Sequence, residues 1–310
     1  MLPTKNGFEK LKGEIVATLV SDLHLQPKAP TYRSVEDSWF EAMQRPLDEI
    51  KSIQETFECP IVYGGDIFDK WNAPPEVINF ALKYLPDGYA VPGNHDLKYH
   101  NWDDLKKTAF WTLVKAGKIT LLKPNKPLEV GDVVLHGFPY GTELHGCNRD
   151  SHTFAVTIAV VHQFVWTKDT GFTGADPSNR LKNIRSQLPG YDILHFGDNH
   201  KTFLVGNAFN PGSLMIRNAD QKDHRPCVGL VKRNHEIVIH YLNCSKDKYM
   251  EITPSEEKTA LDMSKFIEGM EHLDVAVVDF QEVVKRWLDS NQVSDGVKKV
   301  ILKCCEKKDD

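Results

Sequence analysis

What this chain lacks narrows its class first. No apolar stretch approaches the roughly 20 residues that span a bilayer, so no membrane association is expected. Residues 1–14 contain neither a basic start followed by an apolar run nor a small-residue cleavage site, and no secretory signal is expected from them. The six cysteines, Cys59, Cys147, Cys227, Cys244, Cys304 and Cys305, show no CxxC or CxxxC spacing. That argues against a disulfide or zinc framework and for reduced thiols in a cytoplasmic compartment. There is no internal repeat and no low-complexity tract, and the one charge run, 306–310, reads as a solvated end. A large charge of either sign is missing too: the net value of -5 argues against a general polyanion binder. From Met250 onward there are nine basic and fourteen acidic residues, and the rest of the chain balances at 29 of each.

What is present suits a globular protein. Hydrophobic residues make up 41% and charged residues 26%, close to the averages for soluble domains, and 310 residues allow one large domain with a small appendage. Short runs rich in Val and Ile at 14–20, 60–63, 89–91, 118–122, 133–136, 155–162 and 191–196 predict buried strands. Helical patterns lie between the early ones, at 34–57 (interrupted at Pro46), 76–85 and 103–116, the last with Gly117 placed as a cap. This alternation predicts a layered α/β body. Further strands are expected at 201–210, 213–217, 227–232 and 236–242, making the second half mostly antiparallel. From Thr253 the pattern turns helical, which predicts a catalytic body over 1–249 and a small helical appendage over 250–310 for capping or partner binding.

The residues that carry chemistry sit where strands end. The run Leu19-Val20-Ser21-Asp22-Leu23-His24 closes an apolar strand with a carboxylate and an imidazole two positions apart; in extended chain both would project to one side. Asp66 follows the strand at 60–63 through Gly64-Gly65, and Gly93-Asn94-His95-Asp96 follows the one at 89–91. His162 ends a fourth strand, and Gly197-Asp198-Asn199-His200 a fifth. Ligand sites in α/β sheets collect at the carboxyl ends of strands. Oxygen and imidazole donors without thiolate favour Mn²⁺, Fe²⁺, Zn²⁺ or Mg²⁺ over copper.

Taken together, Asp-x-His, Gly-Gly-Asp-x-x-Asp, Gly-Asn-His-Asp, a lone His and Gly-x-x-His resemble the five blocks of the calcineurin-like metallophosphoesterases, over about 20–200. The resemblance implies a four-layer α/β/β/α sandwich of two mixed sheets flanked by helices. It also implies two divalent cations, with manganese foremost. Asp22, His24 and His200 would hold one metal, Asp66 would bridge, and Asn94, His162 and Asp198 would hold the other. His95 would be the catalytic imidazole, oriented by Asp96. The implied chemistry is in-line attack of a metal-bridging hydroxide on phosphorus. Asp198 departs from the pattern, because the family usually has a His there. The substitution keeps a donor but adds a third anionic ligand.

Within this superfamily the chain resembles the SbcD-type nuclease subunit, including phage-encoded forms. The resemblance rests on Gly64-Gly65-Asp66-Ile67-Phe68-Asp69, on His136-Gly137-Phe138-Pro139-Tyr140 and on Asn210-Pro211-Gly212-Ser213. It implies DNA as substrate in recombination or double-strand-break processing, an SMC-like coiled-coil ATPase as partner, and a possible homodimer. Candidate substrate contacts are Tyr99, His100, Arg180, Lys182, Arg185, Arg217 and Arg225, which place aromatic and basic groups on the strand-end loops. Trp102 is expected to pack instead. Two alternatives stay open: a small-molecule phosphodiesterase or pyrophosphatase, which the neutral body suits, and a scaffold that has lost its chemistry at Asp198.

Overall fold

A computed structural model of the chain describes residues 11, 13–147, 155–172, 174–251 and 288. The chain divides into two units, Met1–Glu251 and Ile252–Asp310. Apart from Met250, Glu251 and Leu288, the expected helical appendage lies outside the described residues.

Two six-stranded sheets form the body. In the first, β1 (Ile15–Val20), β2 (Ile61–Tyr63), β3 (Gly88–Ala90) and β4 (Ile119–Leu121) run parallel, and β11 (Cys227–Lys232) and β12 (Ile237–Tyr241) complete one edge antiparallel. The second has the order β5 (Leu128–Val130), β6 (Val133–Phe138), β7 (Val156–His162), β8 (Ile193–Gly197), β10 (Ala208–Asn210) and β9 (Phe203–Val205). Its central pairs are parallel, and both edge pairs are antiparallel.

Side-chain alternation along the strands builds three cores. On β7, Ile158 and Val160 point to the cluster between the sheets, where they join Ala17, Leu19 and Val62. Ala159 and Val161 point the other way, to Leu181 and Ile184 of α4 (Leu181–Gln187). On the far side, α1 (Trp39–Phe57), α2 (Pro75–Tyr84) and α3 (Ala109–Lys115) cover the first sheet. Helix α1 buries Trp39, Ala42, Met43, Leu47, Ile50, Ile53 and Phe57, the three-and-four spacing of one helical face. Ser38 caps it by accepting from Glu41 N at 3.3 Å. The result is the expected α/β/β/α sandwich.

Several local expectations need correction. Helix α1 runs unbroken through Pro46, because its apolar face is continuous on both sides of the proline. The 103–116 pattern splits at Thr108, whose side chain accepts from Trp111 N and starts α3 afresh. The stretch 213–217 is irregular chain rather than a strand, being tied to the site by Ser213 N to His200 O and Leu214 N to Asp22 O. The 201–210 run folds back on itself as β9 and β10, and β5 gave no signal in its three residues. Trp102 packs on the core as expected. Among the described residues no helix is long and apolar enough to cross a membrane.

Candidate metal centre

Five strand ends from both sheets deliver polar groups to one place. Asp22 and His24 follow β1, Asp66 follows β2, Asn94 and His95 follow β3, His162 is the last residue of β7, and Asp198 and His200 follow β8. Cross-links between loops fix their positions. Asp198 N donates to Asp22 Oδ1 at 3.1 Å, and His95 N donates to Asp66 Oδ1 at 3.0 Å. His195, buried in β8, donates from Nε2 to Val20 O of the other sheet at 3.1 Å. The expected extended geometry for Asp22 and His24 does not hold: their φ angles are 53° and 47°. Asp66 at 53° and Asp198 at 74° share this left-handed backbone, a conformation that costs energy in non-glycine residues and clusters at functional sites.

Two tight groupings of the expected ligands result, beside a third made of His24, Asp69 and His95. Ligand atoms of Asp22, His24 and His200 lie within 4.8 Å of one another, as do those of Asp22, Asp66 and His162. Asp66 stands between them, with Oδ2 3.7 Å from His24 Nε2 and Oδ1 3.5 Å from His162 Nε2. His24 Nε2 and His200 Nε2 approach to 3.0 Å, and His162 Nε2 lies 3.0 Å from Asn94 Oδ1. Asp198 joins at the edge, its carboxylate in the field of His162 and Asp66 but outside both groupings. Close glycines make the crowding possible. A Cβ on Gly93 would lie 2.0 Å from Asp66 Oδ1, and one on Gly65 would lie 2.2 Å from His162 Nδ1.

These residues fit a pair of cations. His162 Nδ1 donates to Gly64 O at 2.6 Å, which turns its Nε2 toward the oxygens of Asn94 and Asp66. A backbone carbonyl on the outer nitrogen is the usual device for orienting a metal-bound imidazole. Among the described residues, Asp22 Oδ2 and Asp66 Oδ2 are buried without a hydrogen-bond partner, an expensive arrangement for carboxylates. Proton demands conflict as well. Burial, reinforced by Asp66 and Asp198, pushes Asp22 up to about 8. Burial alone would lower His162, yet the surrounding carboxylates of Asp66, Asp22 and Asp198 raise it to about 10. Burial lowers His200 to about 4, with Arg217 adding to the effect, and drives His24 well below its ordinary value. Divalent cations would resolve all of this together, since they hold carboxylates ionised and imidazoles neutral.

The orienting partner expected for His95 is corrected. Asp96 is fully buried, and its oxygens accept from Ile67 N, Phe68 N and Gly93 N at 3.2, 3.0 and 3.1 Å. It braces the two loops. His95 is exposed and donates from Nδ1 to the backbone carbonyl of Asp69 at 2.7 Å. Asp69 was given no role by sequence reasoning, although it is the second Asp of Gly-Gly-Asp-x-x-Asp. Its carboxylate sits 3.7 Å from His24 Nδ1 and pairs with Arg217. Gln221, 3.3 Å from His200 Nδ1, was also unforeseen.

The candidate substrate contacts divide. Arg217 reaches the centre, held by Asp69 and by Gln26 Oε1. Tyr99 and His100 line a cleft with His95, and Tyr99 is 80% exposed. Arg225 stands 3.9 Å over the ring of Tyr241 in a cavity that opens on Asp198 and His200. The other basic candidates are spent or remote: Arg180 stacks on Trp166 at 4.9 Å, Arg185 donates to Val205 O, and Lys182 is exposed on α4.

The family model of calcineurin-like phosphoesterases matches residues 16–202. Among solved structures, the chain is similar to the calcineurin-like phosphoesterase YfkN from Bacillus subtilis. The identity there is 13%, with 83% of this chain and 98% of that chain covered and a TM-score of 0.42. It is similar too to a metallophosphoesterase from Sphaerobacter thermophilus, at 13% identity over 74% of this chain and 89% of that chain, with a TM-score of 0.34. No curated protein matches the chain. With the family model spanning all five ligand-bearing strand ends, the chain belongs to the calcineurin-like phosphoesterase family.

Proposed function

We propose that the chain is a two-metal phosphodiesterase whose substrate is DNA, a nuclease of the SbcD type. The observation that carries the hydrolase reading is the clustering of Asp22, His24, Asp66, His162 and His200, with Asn94 beside His162 and Asp198 at the edge, around carboxylate oxygens that are buried and orphaned. One metal would be held by Asp22, His24 and His200, the other by Asn94, His162 and Asp198, with Asp66 between. Two such cations supply water activation near neutral pH and neutralise charge developing at phosphorus.

The chain's own residues supply the rest. Because His95 Nδ1 donates to Asp69 O, Nε2 is the ring atom left to face the departing oxygen, and it gives that oxygen a proton from the imidazolium form, the ring then keeping its Nδ1 hydrogen. Arg217, fixed by Asp69 and Gln26, holds a positive charge at the rim where a phosphate oxygen arrives. The Asn210-Pro211-Gly212-Ser213 block supports the nuclease reading through its place: it buttresses the His200 loop by way of Ser213 N and Thr202 Oγ1, which donates to Pro211 O at 2.6 Å. By the same resemblance we propose manganese as the metal and a coiled-coil ATPase as the partner.

A specific observation favours a second reading, a small nucleotide diester. Arg180 and Arg185, both offered as DNA contacts, are already engaged by protein groups, which takes two cations of that loop from a long polyanion. One experiment separates the two: Mn²⁺-dependent hydrolysis of labelled single- and double-stranded DNA beside cyclic dinucleotides, with His95→Ala as control. Cleavage of DNA that vanishes in the variant supports the nuclease. Intact DNA with a hydrolysed dinucleotide overturns it in favour of the second reading.

A further inference from the structure

A cavity of about 790 Å³ opens beside Asp198 and His200, and it shares no lining residue with the cleft of His95 and Tyr99. Beyond Asp198, His200 and Gln221 at its inner end, its lining has no part in the hydrolytic steps above. Its size falls in the range of small-molecule sites. Its walls are aromatic. Phe172, 63% exposed, lies 5.3 Å from Phe164 between ring centroids, and Tyr241, 42% exposed, carries the Arg225 guanidinium on its face at 3.9 Å. Exposed large aromatics are unfavourable in water, and two of them lining one cavity next to a reaction centre call for a flat partner.

Charge selects which flat partner. Asp169, Asp198 and Asp223 line the cavity against Lys201 and Arg225, so it offers no surplus of cations for a second phosphate. His224 adds none, since burial lowers its pKa and its Nε2 donates to Ser213 O at 2.6 Å. An uncharged, planar, hydrogen-bonding group is what such a site accepts, with Asn218 and Thr170 at its edge.

Resting on the phosphodiesterase reading, we propose that this cavity is a nucleobase subsite: it holds the base of the nucleotide that keeps the scissile phosphate against the ring of Phe172, with Tyr241 and the Arg225 guanidinium it carries as a further wall. The leaving side then falls to the His95 and Tyr99 cleft. A base stacked on an aromatic side chain loses affinity when that side chain is truncated, so loss of a wall is read as a KM effect of about tenfold.

The test compares two esters with the same leaving group, thymidine 5′-(4-nitrophenyl phosphate) and methyl 4-nitrophenyl phosphate, on the Mn²⁺-loaded full chain. Phe172→Ala and Tyr241→Ala are expected to raise KM for the thymidine ester about tenfold while leaving kcat and the methyl ester unchanged; Phe172→Trp should restore the lost affinity. Equal effects on both esters, or none on either, overturn the subsite. If neither ester is hydrolysed, the phosphodiesterase reading fails, and saturation-transfer NMR with thymidine 5′-monophosphate then judges the cavity alone. Binding weakened by Phe172→Ala supports it, and absent or unaltered binding overturns it.

Discussion

Single residues carry most of what distinguishes this centre. Gly65 is the sharpest case, since its φ of 106° and a Cβ position 2.2 Å from His162 Nδ1 leave no room for a side chain. Gly65→Ala is expected to destabilise the fold by at least about 1–3 kcal/mol through strain, and to displace His162. Denaturant unfolding together with metal content per chain checks this; an unchanged value for both would show that the loop relaxes freely. His195 makes a separate prediction. Burial lowers its pKa to about 4 from an ordinary 6.5, so the folded state binds its proton less readily than the unfolded chain does. Its contribution to stability is therefore complete above pH 6.5 and declines as pH falls toward 4, by about 3 kcal/mol in all. Melting of the metal-free protein beside His195→Gln between pH 7 and 5 isolates the decline as a difference, the variant losing less stability as pH falls. The lowered His24, His200 and His224 and the raised Asp22 and His162 are common to both proteins and cancel in that difference. Identical slopes in the two proteins would remove His195 from the account.

Elements place those residues, and here the sequence was legible in some respects and silent in others. Strands were readable wherever burial is complete on both faces, as in β1 and β7, because such segments must be apolar throughout. The ligands at their ends were readable for the same reason, since a carboxylate or imidazole straight after a buried strand has few other uses. The left-handed turns at Asp22, His24 and Asp66 were not legible, because side-chain chemistry there overrides backbone preference. Nor was the true partner of His95, a backbone carbonyl that leaves no mark on residue type. Phe172 and Tyr241 lie far apart in the chain, and only the fold brings them to one cavity. A buried ion network under the Arg217 loop was equally silent. Arg33, fully buried, donates from Nη1 to Ile216 O at 3.1 Å, pairs with Asp247 at 3.2 Å and bonds Glu36, while Arg45 bridges the same two carboxylates. Removing one partner of a buried charge network costs about 3–5 kcal/mol. Arg33→Met should thus lower the melting temperature by roughly 10 °C, and a shift below about 2 °C would mean that solvent reaches the network.

At the scale of the whole molecule, two sheets that share an interior core bring strands distant in sequence to one rim. The first sheet gives Asp22, His24, Asp66, Asn94 and His95; the second gives His162, Asp198 and His200. Neither sheet holds a complete set, so the site exists only when the sandwich is assembled, and cation binding there would be coupled to folding. Charge at this scale also bears on substrate. The body up to residue 249 balances 29 basic against 29 acidic residues, so two bound divalent cations would make the centre the dominant positive feature of the rim. The most direct test of the central claim is metal stoichiometry by mass spectrometry on Mn²⁺-loaded protein, wild type beside Asp66→Asn. The account predicts two Mn²⁺ per chain in the wild type and at most one in the variant. A single ion in the wild type, or two in both proteins, would contradict it.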